Sequence, residues 1–198
     1  MAKDLVVGPA DLSWLEEAIA AHLTELGIKH DLEKWLAAGA SQPEHETTIL
    51  CGNSAWVVEF LRHVVRCEGY SDERTGIAAG ENGNSKYRNM PWWDDSVWLP
   101  IELEPATLEV DAPFFVGSCT ALLRELRGLQ VISQIQLGSA PEGYEEMRAD
   151  IRKFYRSTHS AATFQWTDAD CVRWVWLALR DGAELAIKEN TVLYAGPD

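Results

Sequence analysis

Helical periodicity is the strongest signal along this chain. A capping-box sequence at 13–16 begins a segment in which apolar residues recur at intervals of three and four up to the glycine at 27. This pattern predicts a first amphipathic helix. The same spacing predicts a short second helix over 30–38 and a third helix over 53–66. Each segment carries one apolar face, so each is expected to pack that face against a shared core.

Three more helices are predicted in the second half of the chain. Leucines share one face over 118–127, and the glycine that follows is expected to end this helix. A capping-box sequence with proline in the first turn begins the next helix, over 139–155. Thr167 and Asp170 are expected to cap the last helix, whose apolar body at 171–179 indicates burial on nearly all sides.

Strict alternation of apolar and other residues predicts one clear strand, over 97–104. Four aliphatic residues fall on one face of it, while Trp98, Glu102 and Glu104 fall on the other. Because Pro100 has no N–H group to donate to a ladder, this strand is expected at the edge of a sheet.

The remaining segments complete a mainly helical α+β domain. Residues 129–137 fit either a strand or a continuation of the preceding helix, and 191–194 fits a short closing strand. Glycines, asparagines and mixed charges predict a long surface loop at 68–95. With no repeat or linker, the chain is expected to form a single compact domain, 1–198, of about six helices and two or three short strands.

Charge narrows the classes of partner. The chain has 31 acidic and 17 basic residues, and its net charge of −14 repels both a phosphate backbone and an anionic membrane surface. Nucleic-acid and membrane partners are therefore disfavoured, and a basic protein is the partner class that this charge favours. The oligomeric state is left open.

Two features of the sequence predict a cytoplasmic location. No apolar run reaches the length of a membrane span, and the first ten residues lack the core of a signal peptide. The four cysteines lie far apart without metal-binding or redox spacing, in a chain large enough to fold without disulfides. Reduced thiols are expected.

The densest group of residues suited to recognition lies at 89–100, where three of the nine tryptophans and two adjacent carboxylates stand between prolines. The predicted contact residues are Trp92, Trp93, Asp94, Asp95, Trp98, Glu102 and Glu104. Aromatic side chains supply binding energy, and carboxylates attract a basic surface. The favoured hypothesis is a small acidic binding protein, not an enzyme, that neutralises a basic protein in the manner of an immunity-type inhibitor.

Other hypotheses remain open beside it. The same carboxylates suit a small hydrolase with a tryptophan-lined cleft, whereas self-association or burial would also account for the tryptophans. A thiol enzyme would use Cys51 or Cys119, each expected near the start of a helix, with His159 as base. His63 and Cys67 have the spacing of two zinc ligands on one helix, but a structural role is favoured, and no metal or cofactor is predicted.

Overall fold

The computed structural model describes residues 2–7, 13–37, 47–92, 95–109, 113–145 and 166–197. Its helices are α1 (Ser13–Glu25), α2 (Leu32–Ala37), α3 (Ser54–Cys67), α4 (Glu73–Glu81), α5 (Cys119–Ile132) and α6 (Asp168–Glu189). Its strands are β1 (Ala2–Val7), β2 (Thr47–Asn53), β3 (Ser96–Leu99), β4 (Ala106–Glu109), β5 (Pro113–Ser118) and β6 (Leu193–Pro197). The predicted mainly helical α+β class is confirmed.

All six described strands belong to one mixed sheet, ordered β2-β1-β6-β3-β5-β4. Only the β3 and β5 pair is parallel, and the other neighbours run antiparallel. This sheet is larger than the two or three strands predicted from the sequence. It joins the beginning of the chain to its end, because β1 pairs with β6.

Strand β3 corrects the prediction of an edge strand over 97–104. It runs between β5 and β6, its four residues are all buried, and it ends at Leu99. Pro100 lies beyond the ladder, so its missing N–H group places no constraint on the position of the strand. Both faces of β3 are covered.

Two helical layers cover the sheet. Val97 and Leu99 of β3 belong to a core cluster that includes Leu15 of α1 and Trp35 of α2. Trp98, which points to the opposite face, belongs to the larger cluster formed with α3, α5 and α6. The alternation along β3 therefore divides its side chains between two apolar cores.

Some helix ends were predicted correctly from capping residues and glycines, and others were not. Thr167 and Asp170 form the capping box of α6, which confirms the predicted cap. Helix α5 continues through Gly128 to Ile132, so the glycine does not end it and 129–132 are helical. Of the helix predicted over 139–155, only the first residues, up to 145, lie within the described part of the chain.

The surface loop predicted at 68–95 is also corrected. Helix α4 occupies part of it, and five residues between 85 and 92 have buried polar, aromatic or sulfur-containing side chains: Ser85, Tyr87, Asn89, Met90 and Trp92.

In the described ranges, no helix combines the length and the apolar character that crossing a membrane requires.

Candidate functional site

The two tryptophans of the predicted contact set that the structure describes are buried. Trp92 is 6% exposed and Trp98 is 0% exposed. The indole N–H of Trp92 donates to the carbonyl oxygen of Tyr87 at 2.8 Å, and that of Trp98 donates to the carbonyl of Asn89 at 2.7 Å. They form part of the core instead of an exposed platform. Trp93 and Asp94 lie outside the described residues.

Glu102 and Glu104 do not share a strand face with Trp98 as predicted, because β3 ends at Leu99, before either residue. Glu102 and Glu104 are exposed, and each pairs with an arginine. Arg124 binds Glu102 at 2.9 Å, and Arg88 binds Glu104 at 2.8 Å. Asp95 is half-buried and accepts a hydrogen bond from the hydroxyl of Tyr194 at 3.3 Å. Glu102 and Glu104 are accessible, unlike Trp92 and Trp98.

Residues 84–92 form a segment of irregular backbone, and most of their side chains are buried. At its beginning, Glu68 accepts hydrogen bonds of 2.8 Å from the hydroxyl of Ser85 and the backbone N–H of Lys86. Further along, the indole N–H groups of Trp92 and Trp98 donate to the carbonyl oxygens of Tyr87 and Asn89. Because buried backbone groups need partners, these side chains replace the hydrogen bonds that a helix or sheet would supply.

Asn89 and Glu125 anchor the centre of the 84–92 segment. The backbone N–H of Asn89 donates to both carboxylate oxygens of Glu125, at 2.8 and 3.1 Å, and its side-chain amide donates at 2.8 Å. The side-chain oxygen of Asn89 also accepts from the backbone N–H of Ser118 at 2.9 Å. This network ties the segment to α5 and β5.

Burial controls the ionisation of Glu125. It raises the pKa of this carboxyl to about 7, although the hydrogen bonds from Asn89 and the charge of Arg88 act in the opposite direction. This residue is not distinguished by the sequence, since a single glutamate beside a leucine stripe is an ordinary feature of a helix surface. Only its contact with Asn89, 36 residues away, distinguishes it.

A cleft of about 340 Å³, here called the Arg88 cleft, opens beside this network. Its walls are the end of α4 at 80–83, Arg88, residues 105–107 and Phe115. Arg88 spans it by donating to the carbonyl of Pro105 at 3.4 Å as well as to Glu104. Phe115 contacts Trp98 with a ring separation of 6.0 Å, so a buried tryptophan supports the wall of the cleft.

A close approach between Gly80 and Trp92 holds another wall in place. A β-carbon at Gly80 would overlap the indole ring of Trp92. We expect Gly80→Ala to lower the free energy of unfolding by about 1–3 kcal/mol, because the ring has no room to move within the core. Chemical denaturation with a fluorescence readout measures this change.

Gly128→Ala is the matched control for that substitution. Gly128 is also helical and has no neighbouring atom within 4 Å of an added β-carbon. It is expected to stabilise the protein by about 0.4–1 kcal/mol, because alanine restricts the unfolded chain. Similar effects of the two substitutions would contradict the close packing of α4 on Trp92.

The structure does not favour Cys119 as a thiol nucleophile. Cys119 is completely buried, its thiol donates to the carbonyl of Trp98 at 3.4 Å, and burial raises the pKa of this thiol far above its usual value. A thiolate is the reactive form, so this environment suppresses reactivity. Cys51 lies in β2, three residues before α3 begins at Ser54, and the proposed base His159 lies outside the described residues.

Comparison of the chain with family models, with curated proteins and with solved structures gives no match. The candidate site is defined by accessible carboxylates, by their exposed arginine partners, and by a buried hydrogen-bond network that holds the backbone at 84–92.

Proposed function

We propose that this protein is a small acidic cytoplasmic binding protein that engages and neutralises a basic protein, in the manner of an immunity-type inhibitor. The observation that carries the proposal is the position of accessible carboxylates around the Arg88 cleft, on a chain with a net charge of −14. Glu81 lines the cleft. Exposed Glu102 and Glu104 lie on the segment that leads into its wall at 105–107.

The arginine pairs at this surface suit exchange with a partner. Arg88 and Glu104 have side-chain exposures of 43% and 80%, and Arg124 and Glu102 have exposures of 68% and 54%. Exposed pairs of this kind contribute only about 0–1 kcal/mol. A partner's lysine or arginine can therefore replace the internal arginine at small cost, while the carboxylate stays in place.

The buried network supports binding by reducing the cost of ordering the surface. Trp92, Trp98 and Glu125 fix the backbone from Tyr87 to Trp92 through hydrogen bonds. A binding surface that is ordered beforehand loses less conformational entropy on association. In this proposal the buried tryptophans stabilise the acidic surface, and the carboxylates make the contacts.

The same geometry gives less support to a hydrolase. An acid and base pair needs two carboxyls that converge on one substrate position. Glu102 and Glu104 instead bind separate arginines in solvent, and Glu125 binds Asn89.

The proposed cytoplasmic location is a reducing environment, in which thiols such as those of Cys67, Cys119 and Cys171 stay free.

Charge removal at the cleft tests the proposal. Full-length protein is used to capture partners from a lysate of the native host, and the double variant Glu102→Gln/Glu104→Gln is compared with the wild type. We expect a basic protein to be captured by the wild type and released by salt. Its capture by the variant should fall about tenfold or more at low salt, because electrostatic attraction speeds encounter.

The control variant Glu142→Gln/Glu145→Gln removes the same charge from exposed positions outside the cleft walls. It should retain the captured protein. Recovery of no basic protein would contradict the proposal. Equal losses in both variants would show that net charge, not the cleft surface, controls the interaction.

A further inference from the structure

A histidine, a cysteine and a serine meet between α3 and α5, outside the walls of the Arg88 cleft. The thiol of Cys67 lies 3.5 Å from Nε2 of His63, and the hydroxyl of Ser133 lies 2.7 Å from the same nitrogen. His63 is 7% exposed, whereas Cys67 is half-buried. The ring nitrogen is therefore enclosed, with the sulfur beside it closer to solvent.

The helix spacing and the end of α5 produce this arrangement. Residues four apart on a helix lie on the same face, so His63 and Cys67 project together from α3. Ser133 is the C-cap of α5, and its hydroxyl oxygen accepts the backbone N–H of Ile135 at 3.1 Å. The hydroxyl of Ser133 also shares a hydrogen bond with Nε2 of His63, whose direction depends on the tautomer of the ring.

Both side chains are of types that bind soft metal ions. An imidazole offers its unprotonated ring nitrogen to the ion, whereas a thiol must lose its proton. Nε2 of His63 is the ring nitrogen that lies near both the sulfur of Cys67 and the hydroxyl of Ser133.

The distance between the two donor atoms matches a tetrahedral ion. Zinc lies about 2.3 Å from a cysteine sulfur and about 2.0–2.1 Å from a histidine nitrogen, which at the tetrahedral angle separates the donors by about 3.6 Å. The separation between Sγ of Cys67 and Nε2 of His63 is 3.5 Å. An ion can therefore bridge them without a change in the backbone of α3.

We propose that His63 and Cys67 form a two-residue chelating site for a soft divalent metal ion of the zinc class. As the metal–sulfur bond forms, the thiol proton passes to solvent, and the ion replaces the hydroxyl of Ser133 at Nε2. Thiolate and imidazole together favour zinc over magnesium or calcium. The described residues contain no group of three histidine, cysteine or carboxylate side chains that would hold a metal, so the proposed site has two protein ligands, and water would occupy the other positions.

Cadmium is the probe for this site, because its bonds to thiolates absorb in the ultraviolet. Reduced, full-length protein is titrated with Cd²⁺, and Zn²⁺ is then added to displace it. We expect one Cd²⁺ per chain and a rise in the thermal unfolding midpoint, because an ion that binds only the folded state stabilises it. Cys67→Ser and His63→Gln should each weaken binding about tenfold or more.

Two further variants separate chelation from other causes. Cys171→Ser removes a different thiol and should leave binding unchanged. Ser133→Ala keeps both metal ligands and removes the competing hydroxyl, so it should bind at least as tightly as the wild type. Circular dichroism checks that each variant is folded. The proposal is overturned if the wild type shows no saturable absorption band, or if either Cys67→Ser or His63→Gln binds with full affinity.

Discussion

Replacing Trp98 with alanine is expected to lower the free energy of unfolding by about 3–5 kcal/mol, the usual range for removing a large buried aromatic side chain. Trp98 is completely buried, contacts Phe115 and binds the carbonyl of Asn89. Its loss leaves a cavity and removes a hydrogen-bond donor from the 84–92 segment. Urea unfolding followed by circular dichroism measures the change.

Trp98→Phe separates the two contributions of the indole. It keeps most of the apolar volume and removes only the N–H donor, so we expect a smaller loss, of about 1–3 kcal/mol. A loss below about 1 kcal/mol for Trp98→Ala would contradict a role in the core. If Trp98 supports the surface without touching a partner, folded Trp98→Phe protein should still bind the partner that the wild type captures.

The second large effect is a dependence of stability on pH that arises from Glu125. Its folded pKa of about 7 lies above its ordinary value of 4.5. The folded protein therefore holds a proton that the unfolded chain releases between these values. The stability that Glu125 contributes is complete below about pH 4.5 and is lost as the pH rises to about 7.

Glu125→Gln removes this titration while keeping a similar side chain next to Asn89. We expect the stability of the wild type, relative to the variant, to fall by about 1–3 kcal/mol between about pH 5 and pH 8, since one pKa unit corresponds to about 1.4 kcal/mol. Denaturant unfolding at both pH values measures the difference. Groups that titrate in the same way in the wild type and in the variant contribute equally to both free energies of unfolding, so their contributions cancel in the difference.

Glu17→Gln provides the control for Glu125→Gln, because Glu17 is exposed on α1. Its effect on stability should stay within about 0.5 kcal/mol at both pH values. A constant difference between the wild type and Glu125→Gln across this range would contradict the burial of an ionisable carboxyl beneath the 84–92 segment. A difference that grows in favour of the wild type as the pH rises would also contradict it.

Most of the described helices could be predicted because their signals are local, although α4 was predicted to be part of a loop. The apolar spacing of α3 and the capping box of Thr167 and Asp170 lie within a few residues of the elements they define. Most strands were missed because their pairing joins distant parts of the chain. Strand β5 is buried at every position after Pro113, so it lacks the alternation that identifies a strand with one solvent-facing side.

The candidate site depends still more on long-range contacts. The sequence indicated an acidic surface near the tryptophans, and exposed Glu102 and Glu104 occur there. It gave no sign that Glu125 binds Asn89 or that Gly80 packs on Trp92. The strand predicted over 97–104 is also too long, because the alternation in the sequence continues after the hydrogen-bonded ladder ends at Leu99.

The sequence by itself determined most of the described helices, the cap of α6 and the strong negative charge, because these properties depend on neighbouring residues or on composition. Tertiary structure decided that Trp92 and Trp98 are buried and that the carboxylates nearby remain accessible. Burial depends on which distant elements cover a side chain, and tryptophan suits both a core and a binding surface. In this fold, the strands β5 and β6 on either side of β3 and the helices that pack on the sheet bury Trp98.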